Sequence, residues 1–299
     1  MFRGSVMRKA AILGIFCLLL GAQVLVFEKE SLYNSIRVVD TYPFRTLYFN
    51  RYPQSRVDLR NPDRGHFEYV EYARLLQVFR PQADRVAVLG LGGGSVSRLF
   101  LRLSPKIRVD SVEIDPWVAE VARRYFFVQE NARHKIHIQD ARQFLRKSRN
   151  RYDAIFVDAY LADYYGSYIP YHLATREFFR LLRNHLKPGG LALYNIIGTV
   201  DGWQNLLVRA MFKTAASEFP AVYLFPMRTI RNVILLAIHD TRYPRDPQRL
   251  WRALPRPLPP LLTNLLQSLW TRPLPMEGVP LLTDDYAPVE ILAYFRGRR

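Results

Sequence analysis

The sequence predicts a doubly wound α/β fold, a seven-stranded sheet with helices on both faces, preceded by a small N-terminal β-hairpin unit. Three observations carry this. Arg85–Asp115 (RVAVLGLGGGSVSRLFLRLSPKIRVDSVEID) reads as strand, glycine turn, helix, strand and terminal acid, the order of a nucleotide site in such sheets. Beyond it, short apolar runs ending in an acid alternate with helical patterns. Finally, Ala221–Phe225 and Asn232–Ile238 are two strands with only a loop between them, which completes a seven-strand count.

The elements follow in chain order. Arg3, Arg8 and Lys9 precede an uncharged run over 10–27, which reads as a signal peptide or short signal anchor. Leu20-Gly21-Ala22 puts a large residue where cleavage wants a small one, so residues 1–30 are expected to be a retained membrane anchor. The basic flank predicts the N-terminus inside and a translocated domain; a cytosolic ligand argues the other way, and the side stays open. Residues 31–62 hold two β-like runs, Ile36 to Val39 and Leu47 to Phe49, around a turn at Tyr42-Pro43. Phe67–Phe79 has helical spacing and leads into the first core strand, Val86 to Leu89.

The main α/β domain is expected over 63–240. Val96, Leu99, Phe100 and Leu103 share one helix face after the glycines. Asp115-Pro116 opens another helix, with Asp as N-cap and Pro at the first helical position. Strands are expected at Lys135–Gln139, Tyr152–Val157 and Leu191–Ile197, and helices at Thr175–Leu186 and Gly202–Glu218. Tyr243–Pro280 is dense in proline, which excludes long helices and central strands. Residues 241–280 therefore read as an irregular insertion, a lid or a partner-facing appendage, with one short helix over Leu261–Trp270. Residues 281–299, opening LLTDDYAPVEIL, return to an ordered motif packing on the α/β domain.

Composition narrows the function. The 299 residues carry a formal charge of +17, mostly from arginine. That field favours anionic surroundings, but no block of five or six like charges marks a nucleic-acid tail, and no specific nucleic-acid partner is expected. The single cysteine, Cys17, excludes a disulfide framework and a thiolate metal cluster. The histidines have no ligand spacing, so no metal is expected.

In open α/β sheets the ligand sits beyond the carboxyl ends of the strands. Gly90, Gly92, Gly93, Gly94, Glu113, Asp140 and Asp158 all fall there. Glycines let the backbone approach a ligand closely. Glu113 suits ribose hydroxyls, Asp140 an adenine amino group, and the Ala141 amide the adenine ring. After Asp158 comes AYLADYYGSYIPY, in which Tyr160, Tyr164, Tyr165, Tyr168 and Tyr171 surround Asp163. Aromatic faces with carboxylates suit a cationic amine, and Asp158 and Asp163 are the candidate proton acceptors. Asp284 and Asp285 would serve a distal ammonium if the C-terminal motif folds over the pocket.

The runs VAVLGLGGG, VEIDP, QDARQFL, YDAIFVDAY and IPYHLATREFFRLLRNHLKPGG resemble the spermidine synthase family, especially bacterial spermidine synthase-like proteins joined to membrane segments. The resemblance spans roughly Ser31 to Ile238. It implies a methyltransferase-like fold and transfer of an aminopropyl group from decarboxylated S-adenosylmethionine to a small amine. It also implies that Glu113 holds the ribose, Asp140 the adenine, and that Asp158 borders the amine site. Three positions depart from the family pattern. Ser95 stands where the family has an aspartate that neutralises the donor's ammonium. Leu161 stands at the family's second acid, and Tyr69-Val70 replaces a tyrosine-glutamine pair. Ser95 leaves intact S-adenosylmethionine as an alternative donor, hence methyl transfer as an alternative reaction. A membrane-tethered nucleoside-binding protein without catalysis is a further reading, and a homodimer is the expected assembly.

Overall fold

The computed structural model describes residues 22–162, 166–202 and 205–294. Strands β1 (Val24–Glu30), β2 (Ser35–Thr41), β3 (Phe44–Phe49) and β4 (Tyr52–Asp58) form an antiparallel sheet in that order. The hairpin expected about Tyr42-Pro43 is its β2–β3 pair; β1 and β4 widen it to four strands. Ile36, Val38, Leu47 and Val57, all wholly buried, pack with Val118, Val121 and Phe126 of the main domain, so this sheet is fastened to the larger one by a shared apolar seam.

The membrane anchor is overturned. Among the described residues no helix is long and apolar enough to cross a membrane. Residues 24–27 of the uncharged run belong to β1, paired along β2 from Val24 opposite Asp40 to Glu30 opposite Ser35. Val26 and Phe27 pack onto the seam beneath. What remains ahead of the strand, 10–23, falls short of the ~20 residues that a spanning helix needs; of it, 10–21 lies outside the described residues. Val24–Phe27 has the hydropathy of an anchor's end, and its pairing with β2 makes it a strand.

Where helical spacing predicts one helix over Phe67–Phe79, a 3₁₀ segment, Glu68–Arg74, runs into α1 (Leu75–Phe79). Its buried residues are Tyr69, Val70, Tyr72 and Ala73. They form two pairs three residues apart, which a three-residue turn stacks on one side.

The main domain then alternates β5 (Arg85–Leu89), α2 (Ser95–Leu103), β6 (Arg108–Glu113), α3 (Pro116–Tyr125), β7 (His134–Ile138), α4 (Ala141–Lys147) and β8 (Tyr152–Val157). A small hairpin, β9 (Leu161–Ala162) and β10 (Ser167–Tyr168), leads to α5 (Arg176–Asn184), β11 (Leu186–Ile197), α6 (Leu206–Ala216), β12 (Ala221–Pro226) and β13 (Asn232–Ile238). The seven strands stand in the order β12-β13-β11-β8-β5-β6-β7. β13 alone is antiparallel to its neighbours. β11 starts earlier than expected because Lys187-Pro188-Gly189-Gly190 does not end the strand but forms an irregularity between Leu186 and Leu191 in its pairing with β8.

The chain leaves β5 towards β6 and β7, then crosses back to β8 on the other side of β5. The carboxyl ends of β5 and β8 therefore flank the point where strand order reverses, which is where open α/β sheets bind ligands.

The proline-rich insertion holds two helices rather than one, α7 (Pro247–Ala253) and α8 (Pro260–Leu266). Each has proline in its first turn, where the missing N–H costs nothing, and Asp246 caps α7 by accepting from the Gln248 amide at 2.8 Å. Leu250, Leu262, Leu265 and Leu266 pack with Val86, Val88 and Phe156 on one face of the sheet. The insertion is thus part of the core rather than a lid. The last helix, α9 (Val289–Tyr294), begins within the LLTDDYAPVEIL motif, whose Leu282 carbonyl accepts from the Arg176 amide at 2.8 Å.

Candidate active site

Gly90 ends β5 with φ +96°. A Cβ there would lie 2.2 Å from the Asp158 carbonyl oxygen, so only glycine lets β5 and β8 release their chains side by side. Beyond it the loop is fixed by Glu113 at the end of β6. One carboxylate oxygen accepts from the Leu91 and Gly92 amides at 3.1 and 3.3 Å. The other accepts from the Ile114 and Asp115 amides at 2.9 and 3.1 Å. Burial pushes the Glu113 carboxyl above its ordinary value, against the pull of those amides. The Gly92 bond is the longest of the four.

These groups line one cavity of about 320 Å³, within the range for small-molecule sites. Gly90, Gly92, Glu113, Asp140, Ala141 and Asp158 all face it. Asp140 caps α4 by accepting from the Gln143 amide at 2.8 Å, and its other oxygen meets His172 Nε2 at 3.0 Å. Burial pushes its carboxyl up, but the hydrogen bonds from His172 and the Gln143 amide outweigh that and hold it below the usual value. Asp158 accepts from Asn195 Nδ2 at 2.8 Å and from the Tyr69 hydroxyl. Burial prevails there and raises it. The cavity therefore holds acids of two kinds: Asp140, held below its ordinary value, and Glu113 and Asp158, which burial pushes above theirs.

Comparison with known proteins bears on what such a cavity is for. The spermine/spermidine synthase domain matches residues 71–233. A polyamine aminopropyltransferase of Vibrio vulnificus is 30% identical over 289 residues, covering 91% of this chain and 93% of the relative. The chain belongs to the spermine/spermidine synthase family. Among solved structures, a probable spermidine synthase from Corynebacterium glutamicum is 25% identical, with TM-score 0.61 over 71% of this chain and 79% of that one. A spermidine synthase in complex with the transition state analogue AdoDATO has TM-score 0.59 at 19% identity, over 83% of this chain and 84% of that one. That second likeness concerns the fold.

Within this member of the spermine/spermidine synthase family, several expected residues stand away from the cavity. Gly93, Gly94 and Ser95 do not line it. The Gly93 amide donates to Ser55 Oγ at 2.9 Å, which ties the glycine turn to β4. Ser95 is the first residue of α2 and is buried. Asp284 is held by Arg142, with 2.8 Å to Nη1, and by the Thr175 hydroxyl at 2.7 Å, while Asp285 is exposed; neither lines the cavity. Tyr69 and Tyr160 do line it. The Tyr160 hydroxyl is already engaged, donating to the Asn195 carbonyl at 2.6 Å and accepting from the Ile197 amide at 3.0 Å. Asp163 and Tyr164, with Tyr165, lie outside the described residues. Among the described residues no three His, Cys, Asp or Glu side chains gather as a metal site.

Several polar lining residues escape sequence reading, among them Asn34, His172, Asn195 and Asn232. Asn195 sits behind Asp158 and itself accepts from Asn232 Nδ2 at 2.9 Å, a relay that runs from β13 through β11 to β8. Asn195 had a signal: it is a lone polar residue in the apolar run LALYNII. His172 and Asn34 had none. Asn34 comes from the turn before β2, is 7% exposed, and its Oδ1 has no partner although the residue lines the cavity. A buried carbonyl left unpaired costs about 1–3 kcal/mol, and a ligand hydroxyl or amine would satisfy it.

Proposed function

We propose that this protein is an aminopropyltransferase that moves the aminopropyl group of decarboxylated S-adenosylmethionine to the nitrogen of a small amine. The observation that carries the reading is the single cavity shared by Glu113, Asp140 and Asp158, three acids at the carboxyl ends of β6, β7 and β8 with differently tuned protonation. Glu113 and the Asn34 carbonyl are the acceptors for ribose hydroxyls, and Asp140 with the Ala141 amide is the adenine end.

In the reaction the amine nitrogen attacks the carbon next to the sulfonium. The C–N bond forms, the C–S bond breaks with its electron pair going to sulfur, and methylthioadenosine leaves. The amine must arrive without its proton. A buried carboxylate with a raised pKa is a stronger proton acceptor than one in water, and Asp158 is such a group. The Asn195–Asn232 relay and the Tyr69 hydroxyl orient its carboxylate. Family membership supports the transfer of an alkyl group from sulfur to nitrogen. The relatives' names support the aminopropyl group as the one moved.

Calorimetric titration of the purified protein with decarboxylated donor, intact S-adenosylmethionine and methylthioadenosine tests the reading, together with methylthioadenosine release in the presence of an amine. Tighter binding of the decarboxylated form and release that depends on the amine are expected. Preference for the intact donor with methyl transfer would refute it.

A further inference from the structure

Resting on that reading, we infer that His172, Arg142 and Asp284 are positioning residues for the nucleoside base. They form a line of contacts by which the C-terminal DDYAPVE motif holds Asp140 in place for a 6-amino purine. One Asp140 oxygen accepts from the Gln143 amide at 2.8 Å, and the other meets His172 Nε2 at 3.0 Å. A carboxylate tied at one oxygen can still turn about its last bond, whereas one tied at both has its plane set. An ionised carboxylate only accepts, so Nε2 carries the proton of this bond. It has about four acceptor positions, so these bonds orient Asp140 without exhausting it. A base with an exocyclic amine can then donate to it. A 6-oxo base brings an oxygen to the same place, where the carboxylate repels it and the missing bond is not replaced.

His172 is itself held. It sits in the 3₁₀ turn Tyr171–Leu173, and Arg142 Nη1, from the first turn of α4, donates to its carbonyl at 3.1 Å. The Arg142 side chain is only 10% exposed, and its Nε is buried without a hydrogen-bond partner. A guanidinium so enclosed needs a counter-charge. Asp284 supplies it, with oxygens 2.8 Å from Nη1 and 2.5 Å from Nη2, the fork-shaped pairing that fixes a guanidinium plane. Asp284 also accepts from the Thr175 hydroxyl at 2.7 Å, and its amide donates to Glu177 at 3.0 Å, which pins the motif to the start of α5. Arg142 and Asp284 stand 142 residues apart in the chain and do not line the cavity. Their route to the base runs through His172, which does line it.

Calorimetry on the full chain tests this with two nucleosides, methylthioadenosine and its 6-oxo counterpart methylthioinosine. The readout is the ratio of the two affinities. A variant that is merely destabilised loses both in the same proportion, so the ratio moves only if the base is held differently. The unaltered protein should favour methylthioadenosine by at least about tenfold, and His172→Ala should cut that preference by about tenfold, the worth of a hydrogen bond to a charged group. His172→Gln, whose amide can donate from a similar place, should recover most of it. Asp284→Ala, remote from the cavity, should cut the preference by about three- to tenfold as the His172 carbonyl loses its partner. Asp284→Asn, which keeps an acceptor for Thr175, replaces it if the alanine variant does not fold. An unchanged ratio in His172→Ala or in the Asp284 variant would overturn the inference and leave the aminopropyltransferase reading standing. An unaltered protein that binds both nucleosides alike would overturn the inference together with the adenine role of Asp140, and one that binds neither would overturn the whole reading.

Discussion

Replacing Asp158 with asparagine separates the proton-accepting role from every other role of this side chain. The substitution is nearly isosteric. Its carbonyl oxygen can still accept from Asn195 Nδ2, where the present bond is 2.8 Å, and the new amide nitrogen can donate to the Tyr69 hydroxyl, which then accepts instead of donating. The network is kept and one proton acceptor is lost. General-base catalysis contributes about 10²–10⁴ in rate, so kcat should fall by that factor, about 2.7–5.4 kcal/mol of barrier at 1.36 kcal/mol per decade. Affinity for methylthioadenosine should stay within about twofold of the unaltered protein, since no nucleoside contact is assigned to this residue.

Stability should move the other way. Burial raises the Asp158 carboxyl above its ordinary value, so the ionised form is disfavoured in the folded chain. An acid of this kind contributes stability below its unfolded pKa and loses it as pH rises through its raised folded value. The neutral Asp158→Asn variant escapes that loss. It should match the unaltered protein near pH 4 and exceed it near pH 8 in urea denaturation. Single-turnover release of methylthioadenosine measures the rate, and calorimetry the affinity. A kcat within tenfold of the unaltered protein would refute the role as base. Parallel loss of nucleoside affinity would assign Asp158 to donor binding instead.

Three further expectations follow from the same geometry. Gly90→Ala places a Cβ 2.2 Å from the Asp158 carbonyl oxygen at φ +96°, and the left-handed penalty plus overpacking should cost about 2–5 kcal/mol in chemical denaturation; an unchanged midpoint would contradict the close approach of β5 and β8. Glu113→Gln turns one acceptor oxygen, now taking two backbone amides, into a donor facing them. The loss should be about 3 kcal/mol of stability or more, with nucleoside affinity weakened at least tenfold, and a variant that keeps both would exclude the loop-pinning role. His134, wholly buried, meets Ser111 Oγ at 2.8 Å and the Gln129 carbonyl at 3.0 Å; burial lowers its pKa from 6.5. The unfolded chain therefore binds more protons, and stability should fall as pH drops through about 6.5. His134→Gln should flatten that slope in denaturation curves between pH 7.5 and 5.5, and an equal slope would exonerate the residue.

Much of the cavity's lining was legible in the chain because it obeys local rules. Gly90, Glu113, Asp140 and Asp158 each end a short apolar run, and strand ends in a parallel sheet converge on one edge without further information. The helix caps at Asp115 and Asp140 were legible for a similar reason, since a cap bonds two or three residues ahead. Runs whose state depends on a distant partner read wrongly. Val24–Phe27 has the hydropathy of an anchor's end, yet it is a strand because β2 offers it a ladder. The proline-rich insertion contains two helices because α7 and α8 bury leucines against the sheet, a gain that spacing alone does not show.

The sequence by itself thus determined the class of sheet, the glycine turn and the acids at the strand ends around the cavity, all of which follow from periodicity and strand direction. Only the tertiary structure decided which acids are spent and which are available. Glu113 accepts from four backbone amides, Asp284 is paired with Arg142 away from the cavity, and Asp158 is set by an Asn195–Asn232 relay across three strands. It also brought Asn34 from the N-terminal sheet into the cavity. Hydrogen-bond satisfaction and burial are properties of neighbours in space, and residues that lie tens of positions apart in the chain become neighbours only when the sheet closes around them.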